Sequence, residues 1–177
     1  MFKALSGKTN WQGVLNMGTA DEPGYFQYVS QLEGIDSSLP APLNKKFEDS
    51  RNLDVKILFP TDTKLPVRIN YANKFSTALV FNLDTLDSRP LERGNIIFYE
   101  ENKNLNNSYR ISSLPAKKEL TLMGRLPYFN IDDWLDLMAE NSDDSDDDVG
   151  LTDLNIPIRI DMDYLKIVTN SVEGVET

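Results

Sequence analysis

Short segments in which apolar and polar residues alternate dominate the pattern along the chain. The alternation is clearest in Val67-Arg68-Ile69-Asn70-Tyr71 and from Ile156 to Tyr164, and it predicts half-buried β-strands. Further strands are predicted at residues 25–29, 55–59, 76–83, 95–100, 108–112 and 119–123. Turn residues separate the strands of the middle region at about ten-residue spacing, which is typical of a small barrel or sandwich. We therefore predict a mainly β protein, a small antiparallel barrel or sandwich with an OB-like barrel as one version.

The same alternation assigns side chains to the two faces of a strand. Tyr71 shares its face with Val67 and Ile69, so we expect Tyr71 to lie in the core. Arg68 and Asn70 point the other way. Arg68 is therefore expected at the surface.

One amphipathic, acidic helix is predicted at about residues 131–140. Asn130 can cap it, Asp132 and Asp133 suit its positive N-terminal end, and Trp134 begins a set of apolar residues at helical spacing. Residues 141–150 are rich in Asp and are expected to be disordered, because they offer little to bury. A strand follows them, so we predict one β-rich domain over residues 1–177 with this acidic loop inside it.

Charge is distributed in blocks along the chain. Nine of the 28 acidic residues lie between Asp132 and Asp148, and without that stretch 18 basic residues face 19 acidic ones. Residues 45–125 hold 14 basic and 10 acidic side chains and form the only net-positive block. A bound polyanion would therefore be expected in this middle block.

The residue types that are missing limit the chemistry. The chain has no Cys and no His, which excludes disulfides, thiolate or imidazole metal ligands and histidine-based catalysis. Asp161 and Asp163 share one strand face, but no third carboxylate can be placed beside them, so we predict an exposed polar face and no metal site. We expect a non-enzymatic protein without a cofactor. No signal-like or membrane-spanning apolar run occurs, and a cytoplasmic location without a membrane partner is expected.

Basic and aromatic residues of the middle block suggest single-stranded nucleic-acid binding, since such barrels combine a positive groove with aromatic side chains on which bases stack. The candidate contacts are Arg68, Lys74, Tyr99, Arg110, Lys117, Lys118 and Arg125. In this hypothesis the acidic helix and loop regulate access or recruit a protein partner. The candidate partner contacts are Asp133, Trp134, Asp136, Leu137, Asp143 and Asp144.

The stretch from Ile131 to Asp148 resembles the acidic segments of bacteriophage-type single-stranded-DNA-binding proteins, over about 18 residues. The resemblance implies an acidic element that occupies the binding groove or meets a partner protein. In those proteins the segment ends the chain, whereas here a predicted strand follows. The alternative hypothesis is a structural or assembly protein of the virion type, in which loops and the terminal strand make subunit contacts, including those of a homo-oligomer.

Overall fold

Strands make up most of this protein. The computed structural model describes residues 4–60, 62–85, 91–99, 116–141 and 156–169. The predicted mainly β class and the single short helix are confirmed, and the sheet does not close into a barrel, although a sandwich-like arrangement is compatible with it. The predicted strand at 108–112 and most of the acidic loop, residues 142–150, lie outside the described residues.

The described elements form a large sheet, a small sheet and two helical segments. The strands of the large sheet are β2 (Trp11–Asn16), β3 (Tyr25–Ser30), β5 (Leu53–Leu58), β6 (Lys64–Tyr71), β7 (Phe75–Asn82), β8 (Leu91–Phe98), β9 (Leu120–Asn130) and β10 (Ile158–Val168). The small sheet pairs β1 (Leu5–Gly7) with β4 (Ile35–Ser37), a 3-10 turn covers Leu83–Thr85, and helix α1 covers Ile131–Asn141.

The large sheet has the spatial order β10-β9-β8-β7-β6-β5-β3-β2. Pairings from β2 to β8 are antiparallel, whereas β8–β9 and β9–β10 are parallel. The two parallel pairs differ from the all-antiparallel expectation, because the connections at 99–119 and 131–157 are long enough to carry the chain back across the sheet. The terminal strand does return to the same sheet, and it begins directly after Pro157, as the sequence indicated.

Helix α1 begins where the sequence predicted a cap. The side-chain oxygen of Asn130 accepts a hydrogen bond from the backbone N–H of Asp132 at 3.2 Å. The Asn130 amide also donates to the carboxylate of Asp133 at 2.6 Å. The cap satisfies a backbone donor that the first turn of a helix leaves without a partner.

The register gives the large sheet two chemically different faces. Residues paired across neighbouring strands share a face, so the pairings trace one surface from β2 to β10. We call this surface the apolar face; it comprises residues 11, 13, 15, 26, 28, 30, 53, 55, 57, 65, 67, 69, 71, 75, 77, 79, 81, 91, 94, 96, 98, 120, 122, 124, 158, 160 and 162. None of these residues is charged. We call the opposite surface the polar face. It carries every charged side chain among the strand positions that pair without a bulge.

The centre of the sheet, at β6 and β7, is its most buried part. On the polar face Ala78 and Val80 are buried, and on the apolar face Val67 and Tyr71 are buried. Tyr71 thus lies in the core as predicted, and Arg68 lies on the other face. Exposure increases from these central strands toward the two edge strands.

Candidate functional site

The apolar face is unusual because most of its side chains remain partly accessible. Among the described residues, Val67 and Tyr71 are its only large apolar side chains in the buried class. At the edges the exposure is high, with Trp11 59%, Leu15 63% and Ile160 58% exposed. An inner sheet face is normally buried by a second layer, and a continuous exposed apolar surface marks a binding site for an apolar partner.

Aromatic and small residues shape this surface. At one end of the sheet the rings of Tyr71 and Phe75 are 5.3 Å apart, and those of Phe75 and Phe98 are 6.2 Å apart. In the middle, Gly94 leaves room that the side chains of Leu79 and Leu120 fill, since a Cβ on Gly94 would be 2.5 Å from Leu79 Cδ2. The surface is therefore a lining of rings and aliphatic chains with few hydrogen-bonding groups.

The connection between β4 and β5 contacts the sheet at its Tyr71 end. Arg51 in this connection donates to the hydroxyl of Tyr71 at 3.3 Å and also to the carbonyl of Asn44. Helix α1 is tied to the same connection, because the indole N–H of Trp134 donates to the carbonyl of Ala41 at 3.2 Å. The ring of Trp134 also stacks on Phe129, with centroids 6.4 Å apart. The connection between β4 and β5 thus links the Tyr71 end of the sheet to helix α1.

The polar face holds the charged groups of the sheet. Lys64 forms an ion pair with Glu92, and the hydrogen bond from Lys64 is the main cause that lowers the pKa of Glu92 below its usual value of 4.5. Lys56 lies over the ring of Tyr25, with Nζ 3.6 Å from the centroid. These contacts place the ionic chemistry of the strands on the side of the sheet away from the apolar face.

Two arginines line the centre of the polar face. Arg68 lies opposite Ala78, and Arg93 lies opposite Val80. The Nε atoms of both arginines are inaccessible to water and have no hydrogen-bond partner among the described residues. Long arginine stems can cover small apolar neighbours in this way, which accounts for the burial of Ala78 and Val80.

The described members of the predicted nucleic-acid set are spread over the sheet, and only Lys74 and Tyr99 meet from separate parts of the chain. Lys74 and Tyr99 are adjacent at the Tyr71 end of the sheet, where Tyr99 N–H donates to the carbonyl of Lys74 at 2.8 Å. Lys117 and Lys118 precede β9 at the opposite end and are exposed. Arg68 lies on the polar face, and Arg125 lies 5.5 Å from the ring of Tyr164. Arg110 lies outside the described residues.

Most aromatic side chains of the large sheet lie on a different face from its basic side chains. Bases stack where basic and aromatic side chains share a surface. Here Trp11 and Phe98 belong to the apolar face, which has no basic residue, whereas Tyr99 bonds to Ser76 on the polar face, at 2.6 Å between the hydroxyl oxygens. The sequence placed Arg68 on the face opposite Tyr71, which the register confirms, but it grouped the other basic residues by their nearness along the chain.

The predicted partner contacts on α1 have a mixed environment. Trp134 makes the intramolecular contacts described above, and Asp133 receives the hydrogen bond from Asn130. Asp136 is exposed and Leu137 is half-buried. Asp143 and Asp144 lie outside the described residues, so their role as partner contacts stays a prediction.

A second feature is a cleft of about 1150 Å³ beside the edge strand β2, at the Tyr71 end of the sheet. It is lined by the start of β2, the end of β3 and the connection around β4. Trp11 and Phe47 are its large aromatic residues, and each is 59% exposed. Trp11 stacks on Tyr28 with ring centroids 5.5 Å apart, so the other side of its indole remains available.

Two further results concern metals and membranes. Asp161 and Asp163 are exposed, and in the part of the chain that the structure describes no three acidic side chains come close enough to hold a metal ion. None of the described helices is long and apolar enough to cross a membrane.

Sequence reasoning missed the apolar face as a site. Part of the signal was present, because β5, β6 and β10 alternate and their apolar residues could have been followed from strand to strand. What the alternation does not reveal is that these sets align on one surface that no second layer of described residues buries.

Comparison with known proteins identifies the family of the chain. A search of curated proteins and a search of solved structures each found no match. A family model described as YhdP protein matches residues 1–177. This is a bacterial protein family, so the hypothesis of a viral, OB-like single-stranded-DNA-binding protein and its virion-type alternative are wrong. The chain belongs to the YhdP protein family.

Proposed function

We propose that this protein binds the acyl chains of lipid-class molecules along the apolar face of its large sheet. The observation that carries the proposal is the continuity of that face: from β2 to β10 no charged side chain interrupts it, and most of its side chains are only partly buried. Burying such a surface is favourable by about 25 cal/mol per Å² of apolar area.

The dimensions of the face suit an acyl chain. Strands of six to eight residues are roughly 20–26 Å long, and eight strands span roughly 33 Å. An acyl chain in a bilayer spans half of the hydrocarbon core, or about 15 Å. One strand length therefore accommodates one chain, and the width of the sheet leaves room for several chains side by side.

The chemistry of the face favours an acyl chain over a second protein layer. A protein interface carries about one hydrogen bond per 100–200 Å². The polar groups of this face are few, and two of them are engaged within the chain: the Ser30 hydroxyl donates to the carbonyl of Asn10, and the Tyr71 hydroxyl accepts from Arg51. A ligand without hydrogen-bonding groups along its length matches such a surface.

Two neighbouring residues of β2 provide a matched test. Leu15 lies on the apolar face and is 63% exposed, whereas Val14 lies on the polar face and is 51% exposed. We expect Leu15→Asp to weaken binding of palmitate by roughly tenfold, because a charge then interrupts the lining, and Val14→Asp to leave it nearly unchanged. Both residues are exposed, so neither substitution should unfold the protein. Circular dichroism checks this.

Photocrosslinking supplies a second readout. Palmitate with a diazirine on its chain should label residues of the apolar face, and Ile160→Asp at the opposite edge strand should lower the yield as Leu15→Asp does. Labels on the polar face, or equal losses for Val14→Asp and Leu15→Asp, would overturn the proposal. A dimer that excludes palmitate would assign the face to a second copy instead.

A further inference from the structure

The cleft beside β2 has a composition that the acyl-chain proposal does not use. Besides Trp11 and Phe47, it is lined by the charged residues Lys8, Glu33 and Glu48. In the described part of the chain the side chains of these three residues form no ion pair or hydrogen bond. The cleft therefore combines two accessible aromatic rings with carboxylates that have no internal counter-ion.

We propose that this cleft binds an alkylammonium group. Cations are attracted to the face of an aromatic ring, and recognition of quaternary ammonium ligands by aromatic side chains follows from that attraction. Glu33 and Glu48 supply negative charge at the same place, and their carboxylates accept hydrogen bonds from a primary ammonium. Lys8 adds one positive charge, which suits an anionic group, such as a phosphate, next to the ammonium.

The position of Trp11 connects the cleft to the apolar face. Trp11 is the first residue of β2, its side chain belongs to the apolar face, and it also lines the cleft. Trp suits a boundary between an apolar and a wet environment, because its ring is apolar and its N–H is polar. An amphiphile with acyl chains on the apolar face could place its headgroup in the cleft at this corner of the sheet.

The ammonium group has two sources, a lipid headgroup and a free soluble amine. For the lipid source the inference rests on the proposed function, and for the soluble source it does not. The recognising chemistry is the same in both cases. Soluble phosphocholine and phosphoethanolamine therefore test the cleft without involving the apolar face.

The two tryptophans allow a direct fluorescence test. In a Trp134→Phe background, Trp11 is the only tryptophan and lies in the cleft. Titration with phosphocholine should give a saturable change in Trp11 emission, and glycerol phosphate, which has no ammonium, should give none. We expect Glu33→Gln together with Glu48→Gln to lower the affinity about tenfold.

A matched control separates the cleft from the general charge of the protein. Asp21 and Glu22 lie in the turn between β2 and β3, far from the cleft, and both are exposed. Asp21→Asn together with Glu22→Gln changes the net charge equally and should leave the affinity unchanged. Phe47→Leu should weaken binding, and Phe47→Tyr should restore it. The inference fails if phosphocholine gives no saturable change in Trp11 emission, or if the two double variants lose the same affinity for it.

Palmitate and a phospholipid distinguish the two sources. Palmitate lacks an ammonium, so its binding should survive Glu33→Gln with Glu48→Gln, whereas Leu15→Asp should weaken it. If the same double substitution weakens binding of phosphatidylethanolamine, the cleft holds a lipid headgroup. If only phosphocholine and phosphoethanolamine are affected, the cleft serves free amines. If the native protein binds phosphocholine but not palmitate, the acyl-chain proposal is rejected and the inference about the cleft stands.

Discussion

Gly124 of β9 lies directly against the backbone of Phe98 in the neighbouring parallel strand. Its φ is +96°, and a Cβ at this position would overlap the carbonyl oxygen of Phe98. Positive φ is accessible to glycine and strained for other residues. The parallel pairing of β8 with β9 at this point therefore requires glycine at position 124.

Gly124→Ala should destabilise the protein by about 3 kcal/mol, because it combines a strained φ with a clash against backbone. Gly94→Ala should cost less, about 1–2 kcal/mol, because the closest atom it meets is a movable methyl group of Leu79, and the backbone oxygen of Ala78 is 3.3 Å away. Urea unfolding measures both. A larger cost at Gly94 than at Gly124 would contradict the close approach of Gly124 to Phe98.

A double substitution tests the contact above Gly94. Leu79→Ala removes the atom nearest to the new Cβ, so Gly94→Ala should cost less in that background than in the native chain. The difference between the two costs is the coupling energy. Additive costs would mean that Leu79 does not occupy the space above Gly94.

Much of the fold was accessible from the sequence, and for identifiable reasons. Strand alternation located Tyr71 in the core and Arg68 on the opposite face, because the side-chain period of a strand is two. Asn130 and the acidic residues after it located the start of α1, because a cap is a local feature. These predictions depended only on neighbours along the chain.

What the sequence did not reveal depends on contacts between distant residues. The parallel pairing of β9 with β8 and β10 follows from long connections whose path no local pattern encodes. The apolar face depends on the register of eight strands, and the cleft joins Trp11 to Phe47 through the folding of the β4 region. The basic residues were grouped by sequence distance, and the register placed Lys74 and Lys117 at opposite ends of the sheet.

The contact between Trp134 and Ala41 should be the main link of α1 to the rest of the protein. Trp134→Phe keeps an aromatic ring against Phe129 but removes the N–H donor, and it should cost about 1 kcal/mol. The amides of α1 should then exchange faster with deuterium, while those of β6 and β7 stay protected. Unchanged exchange in α1 would mean that the hydrogen bond does not hold the helix.

Lys45 is buried, at 4% exposure, although it has no acidic partner among the described residues. Its Nζ donates to the carbonyls of Ile35 at 2.7 Å and Lys46 at 2.9 Å. Lys45→Met should therefore cost about 1–3 kcal/mol by leaving both carbonyls without their donor. Lys46→Met is the matched control, because Lys46 is exposed, and it should have little effect on the unfolding midpoint. Equal effects of the two substitutions would contradict a structural role for the buried amine.

The ion pair between Lys64 and Glu92 should make stability depend on pH in a defined range. The pKa of Glu92 is lowered from 4.5 in the folded protein, chiefly by the hydrogen bond from Lys64. A lowered folded pKa means that the contribution is fully present above the unfolded value and is lost as the pH falls through the folded value. Both side chains are partly accessible, so we expect a contribution of about 1 kcal/mol at neutral pH.

Lys64→Met should therefore be less stable than the native chain at neutral pH, and the difference should shrink below pH 4.5 and vanish once Glu92 is protonated in the folded state. Lys56→Met provides the control. It removes the same charge from the same face, but Lys56 lies over Tyr25 and not beside Glu92, so its effect should not collapse over that range. Urea midpoints of the three proteins across the pH series measure this. If the stability difference between Lys64→Met and the native chain stays constant well below pH 4.5, protonation of Glu92 does not affect it. The ion pair with Lys64 would then not be the source of that difference.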